Sequence, residues 1–143
     1  MKRSKIAISI FNKGCNCAQS TFSVFSEEFG VSKEQARTIA CGFGGGFGGL
    51  QETCGAVTGA IMVIGCRFFN RNDLKNSEEI VSQHTRDFIS KFRKRNGTIN
   101  CLRLIGVDFN TEEGMREVKE KNLFKEKCEN YIKDACEILE EIL

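Results

Sequence analysis

Eight cysteines are spread through 143 residues, at positions 15, 17, 41, 54, 66, 101, 128 and 136. A thiolate can do two kinds of chemistry. It attacks sulfur in disulfide exchange, or it ligates zinc or an iron–sulfur cluster. The spacing narrows the choice. No C-x-x-C occurs, and both a thioredoxin-type dithiol and a zinc ribbon need one. Cys15 and Cys17 stand two apart, and helix neighbours at i and i+2 point away from each other. Any cysteine site must therefore be assembled from distant segments. That suits a redox centre or an unusual metal or cluster site.

Cys17, Cys54 and Cys101 share a predicted setting, each near a helix N-terminus. Unpaired backbone N–H groups and the helix dipole favour an anion there. The expectation is that these thiols ionise well below the free value of about 8.5. The plain alternative is that cysteines here are small buried hydrophobes. Cellular setting bears on the choice. The short mixed stretch after Met1-Lys2-Arg3 lacks the apolar core of a signal peptide. The longest uncharged run, Thr53 to Cys66, is shorter than the roughly 20 residues of a membrane span. A cytoplasmic protein is expected, and thiols in excess there point to metal binding or redox chemistry.

The elements that must position these thiols read as helices throughout. The chain has no proline and 14 glycines, with apolar residues at helical spacing. The prediction is a single all-α domain over 1–143, a compact multi-helix bundle around a buried central helix at about 54–69. Helices are expected at 4–13, at 16–29, from the capping box Ser32-Lys33-Glu34-Gln35 to about Cys41, and at 77–95. A short helical turn carries Cys101, Thr111 caps a further segment, and 123–143 is a final amphipathic helix. Thr53 is the expected N-cap of the central helix. Residues 42–49 are too rich in glycine for a helix and read as a compact loop. Gly55 and Gly59, four apart, bare one face of the central helix for another backbone.

The residues then carry a resemblance. Asn16-Cys17-Ala18-Gln19, Gly45-Gly46, Cys54-Gly55-Ala56-Val57-Thr58-Gly59, Cys101 and Cys128 follow one another in an order that resembles the C_GCAxxG_C_C family of redox-active proteins. The likeness spans about Lys5 to Ile142. It implies that Cys17, Cys54, Cys101 and Cys128 are the characteristic cysteines and that Cys15, Cys41, Cys66 and Cys136 are extras. Related sequence occurs in split-Soret cytochromes, which bind haem. This chain has no C-x-x-C-H and one histidine, His84, so covalent haem is not expected.

Other features read blandly. Gly44 to Gly49 contains G-x-G-x-x-G without the preceding strand that a dinucleotide site needs. His84 sits on an apolar stripe and reads as a core histidine. Lys91 to Arg95 is one basic run on a chain of net charge +2, too little to imply nucleic acid. The leading expectation is a thiol redox protein reacting with a redox partner or small-molecule oxidant. Cys54 and Cys17 are expected to be most reactive, and Cys101 and Cys128 to be resolving or supporting thiols. The alternative is a metal or iron–sulfur cluster held by the same four cysteines. A third reading is an all-α association domain whose cysteines merely pack. Homo-oligomer formation is left open.

Overall fold

A computed structural model describes residues 2–143. It is all-α: helices and tight helical turns account for every regular element, and the described residues contain only one isolated β-bridge, Thr53 to Asn100. Eight α-helices follow in order among them: α1 (Arg3–Asn12), α2 (Cys17–Ser26), α3 (Lys33–Ala40), α4 (Gly55–Phe68), α5 (Leu74–Asn96), α6 (Cys101–Ile105), α7 (Glu112–Lys121) and α8 (Glu129–Ile142). Short 3-10 turns at Glu27–Phe29 and Cys41–Phe43 and a π-helical turn at Phe124–Cys128 complete the chain. Among the described residues, no helix is long and apolar enough to cross a membrane.

The core forms where α4 meets α2, α5 and α8. Ala56, Val57, Ala60, Val63 and Ile64 of α4 are fully buried beside Phe25, Phe88, Phe92 and Leu139. The predicted central helix is thus present, shorter by one residue at each end. It shares the centre with α2, which touches α1, α3, α4 and α8. Gly59 shows why the two lie so close. A Cβ there would stand 2.7 Å from the Ala18 carbonyl oxygen of α2, so only glycine permits this contact.

Several boundaries differ from the sequence reading. Thr53 is not the cap of α4; it pairs in the isolated bridge, and Cys54 takes the N-cap position. α5 begins at Leu74 rather than 77, because the Ser77 hydroxyl turns back to Asn70, donating to its carbonyl oxygen at 2.9 Å and accepting from its N–H at 2.7 Å. The helix expected over 16–29 tightens after Ser26 into a 3-10 turn. The final helix is interrupted at its start by the π turn. Both predicted ends at Gly30 and Gly97 hold, each with positive φ. The capping box of Ser32 and Gln35 forms as expected. Within the basic run, Arg95 binds Asp134 at 3.0 Å and Glu137 at 2.8 Å, clamping α5 to α8.

Candidate functional site

Each of the four cysteines is placed by a distinct local device. Asn16 caps α2. Its side chain accepts from the Gln19 N–H at 3.0 Å, and the Gln19 side-chain oxygen accepts from the Asn16 N–H at 2.8 Å. This capping box makes Cys17 the first helical residue. The Asn16 amide also donates to the Cys41 carbonyl at 2.9 Å, tying the cap to the start of the glycine loop.

Cys54 and Cys101 are set by one backbone pairing. Thr53 faces Asn100 across the antiparallel bridge. The Cys54 N–H donates to the Ile99 carbonyl at 2.7 Å, and the Cys101 N–H donates to the Glu52 carbonyl. Side chains alternate along an extended chain, so the residues beside a bridged pair share the opposite face. Cys54 and Cys101 are therefore brought to the same side. Each stands at the start of a helix, α4 and α6 respectively.

Cys128 closes the π turn at Phe124–Cys128. Such turns are rare and occur often at functional sites. The neighbouring Lys127 ammonium donates to the Ile105 carbonyl at 2.9 Å. That bond anchors the π turn to the end of α6.

These devices bring Cys17, Cys54, Cys101 and Cys128 onto one cavity of about 230 Å³. Its remaining wall is largely apolar, built from Phe11, Leu104, Ile105, Phe109 and Phe124. Two polar side chains, Asn16 and Tyr131, reach it. Cys54, Cys101 and Cys128 are buried and Cys17 is partly so. The other four thiols lie elsewhere: Cys41 is exposed, Cys15 and Cys66 are partly buried, and Cys136 packs within α8. His84 also lies away from the cavity, stacked on Phe68 with ring centroids 3.8 Å apart.

The protonation of the four thiols departs from the sequence expectation. Three stand at helix N-termini as predicted, yet none is pulled down. Burial pushes Cys54 up to about 12, against the pull of the Ala56 and Val57 backbone N–H groups. Those N–H groups face its sulfur without closing a capping hydrogen bond. Burial, followed by the charge on Cys128, pushes Cys101 up to about 11. Cys17 is raised well above the usual thiol range, first by its hydrogen bond to Cys128 and then by burial. Cys128 alone is lowered. The Cys17 hydrogen bond is the main cause and the Lys127 charge adds to it, while burial opposes both. The two titrate as a unit, and the first proton to leave comes off more readily than that of an ordinary thiol while the second is held more tightly. Desolvation outweighs the helix dipole at the other two sites because nothing cationic lines the cavity.

Among the described residues, no three His, Cys, Asp or Glu side chains are arranged around a common point that would hold a metal ion. A tetrahedral zinc site needs four ligands within about 2.3 Å of one centre, and the thiols here do not converge so tightly.

Sequence reasoning did not single out Gln51, Phe109, Lys127 or Tyr131. Only the Asn16–Gln19 capping box carried a readable local signal.

The family described as "Putative redox-active protein (C_GCAxxG_C_C)" matches residues 15–142. An uncharacterized protein of Archaeoglobus fulgidus is 27% identical over 146 residues, covering 96% of this chain and 90% of its own length. No solved structure matches. With the family's pattern running through nearly all of its length, the chain belongs to the C_GCAxxG_C_C family.

Proposed function

We propose that this is a thiol redox protein whose reacting pair is Cys17 and Cys128. The observation that carries the reading is the gathering of these two thiols with Cys54 and Cys101 on one cavity, where the pair shift each other's ionisation in opposite directions. A thiolate held by a neighbouring thiol is ready for both halves of an exchange. The Cys128 thiolate attacks one sulfur of an incoming disulfide, forming a mixed disulfide and releasing the first thiolate. Cys17 then gives up its proton and attacks the Cys128 sulfur. A Cys17–Cys128 disulfide forms and the second thiolate leaves. Two electrons pass from the protein to the reactant, and the two product thiolates take up two protons. This order reverses the roles expected from helix position alone, since Cys128 attacks first. Cys54 and Cys101 keep their protons through this sequence and stand by as supporting thiols. A cytoplasmic setting, which keeps thiols reduced between turnovers, fits a chain of eight free cysteines.

A second reading uses the same four thiols, gathered on one cavity, to hold an iron–sulfur cluster. Such a cluster would supply one-electron transfer when bound. Cys17, Cys54, Cys101 and Cys128 would hold it, with all four thiols giving up their protons.

Anaerobic purification with iron, sulfide and zinc analysis, followed by a free-thiol count across a dithiothreitol redox series, separates the two. The thiol reading expects reversible loss of two thiols in metal-free protein, abolished in Cys128→Ser. Stoichiometric iron and sulfide with no reversible thiol loss would move the assignment to the cluster.

A further inference from the structure

We propose that Gln51 is a positioning residue that builds the wall of the thiol cavity through Phe109, and that this wall selects compact, uncharged reactants. The proposal rests on the thiol reading of the same cavity and names the class of oxidant that cavity would take.

Gln51 is an anomaly. It is 3% exposed and left-handed, with φ +57°. Few residues other than glycine adopt that conformation without a compensating reason. Glycines fill most neighbouring positions with positive φ, at 45, 46, 48 and 49, with Phe47 the other exception, so the buried side chain at 51 needs an explanation. Both ends of its amide supply one. The nitrogen donates to the Val107 carbonyl at 2.9 Å, and the oxygen accepts from the Phe109 N–H at 3.0 Å. The side chain thereby satisfies two backbone groups of the turn after α6, as a neighbouring strand would.

That turn carries Phe109. A second tie holds it, from the Asn110 amide to the Gly49 carbonyl at 2.8 Å. The Phe109 ring lies against the glycine loop, 3.6 Å from where a Cβ on Gly45 would stand. Its other neighbour is Phe124, edge to face with centroids 5.4 Å apart. Both rings line the cavity, and Phe124 opens the same π turn that ends in Cys128. Gln51 thus fixes an aromatic wall beside the most acidic thiol.

What this wall encloses has no means of pairing a charge. No Lys, Arg, His, Asp or Glu lines the cavity. The two polar side chains are already engaged. Asn16 spends its oxygen on Gln19 and its nitrogen on Cys41, and the Tyr131 hydroxyl donates to the Leu104 carbonyl at 2.7 Å. An anionic reactant would be stripped of water beside the Cys128 sulfur with nothing in exchange. The volume of about 230 Å³ is below the roughly 300–1,000 Å³ of pockets for drug-sized ligands. A small neutral disulfide fits these limits, and a bulky charged peptide disulfide does not. Its reduction by the Cys17–Cys128 pair passes two electrons to the reactant, and the Cys17 proton with one proton from solvent completes two neutral thiols.

Two disulfide probes of opposite character test this. 4,4′-Dithiodipyridine is uncharged, and 5,5′-dithiobis(2-nitrobenzoate) is a dianion. Rates are read at each cysteine of the reduced full chain by mass spectrometry, with exposed Cys41 as internal reference. In the wild type, the preference for the neutral probe at Cys128 should exceed that at Cys41 by about tenfold or more, the size of a modest desolvation penalty. Gln51→Met and Phe109→Ala should bring the two preferences close together, and Phe109→Tyr should keep them apart. General loosening of the fold would also speed reaction at buried Cys136, which lies off the cavity and should keep its wild-type rate in both variants. Equal preferences in the wild type would overturn the selectivity. A preference unchanged in both variants would overturn the role of Gln51. If Gln51→Met does not fold, Phe109→Ala decides the second point. These rates do not depend on whether a Cys17–Cys128 disulfide forms reversibly, so failure of the selectivity and failure of the thiol reading give different results.

Discussion

At the scale of single residues, the proposed chemistry turns on the ionisation of Cys128. Cys128 is lowered by the Cys17 thiol and, to a smaller extent, by Lys127. Removing the hydrogen bond in Cys17→Ala should move ionisation of Cys128 to higher pH, and Lys127→Met should move it in the same direction by less. The pH dependence of alkylation at Cys128 measures both. A Cys128 profile unaltered in Cys17→Ala would show that the pair does not titrate as a unit. The sequence exposed the four cysteines in order and placed three of them at helix N-termini, where the structure finds them. It suggested the wrong charge for those three, because dipole position can be read from sequence and depth of burial cannot. Gln51 and Phe109 gave no local signal at all. Their roles exist only once the turn at 107–109 has folded back on the glycine loop, 56 and 58 residues away from the Gln51 side chain.

At the scale of elements, α2 and α4 matter most, since their contact sets Cys17 beside Cys54. Gly55 and Gly59 are the small residues that permit it; a Cβ on Gly55 would come within 3.2 Å of the Cys17 side chain. Gly59→Ala must push against the Ala18 backbone and should cost about 1–3 kcal/mol in denaturant melts. Gly59→Leu should prevent folding. Cys54→Ser should fold, since Cys54 caps α4 by position rather than through a side-chain bond. Unfolding of Cys54→Ser would reduce that thiol to a packing element. Asn16→Ala loses the capping box and should cost about 1 kcal/mol, while also loosening the Cys17 side of the pair. Periodicity and caps made most helices legible. Two misread boundaries depend on partners outside the helix: Ser77 folding back on Asn70, and Thr53 taken up by Asn100. The π turn at Phe124–Cys128 is likewise invisible in a sequence that reads as continuous amphipathic helix over 123–143.

For the whole molecule, buried neutral thiols make stability depend on alkaline pH. Cys54 and Cys101 hold their protons to about 12 and about 11 in the fold, against about 9 for an ordinary thiol. Above that ordinary value the unfolded chain binds fewer protons than the native one, so stability falls as pH rises. The contribution is complete below about pH 9 and is lost progressively towards pH 11–12. Each retained proton accounts for about 1.4 kcal/mol per pH unit in that window. The melting temperature should therefore drop from pH 9 to 11, less steeply in Cys54→Ala. A flat profile in the wild type would mean that these thiols are not buried in neutral form.

The central claim is that Cys17 and Cys128 are the reacting pair of a shared thiol site. Limited oxidation of the reduced, metal-free chain with a neutral disulfide, followed by blocking of remaining thiols and peptide mapping, tests it most directly. The expected product is one intramolecular Cys17–Cys128 disulfide, reversed by dithiothreitol, with Cys54 and Cys101 still free. A disulfide mapped to other cysteines, or no intramolecular disulfide at all, would contradict the account.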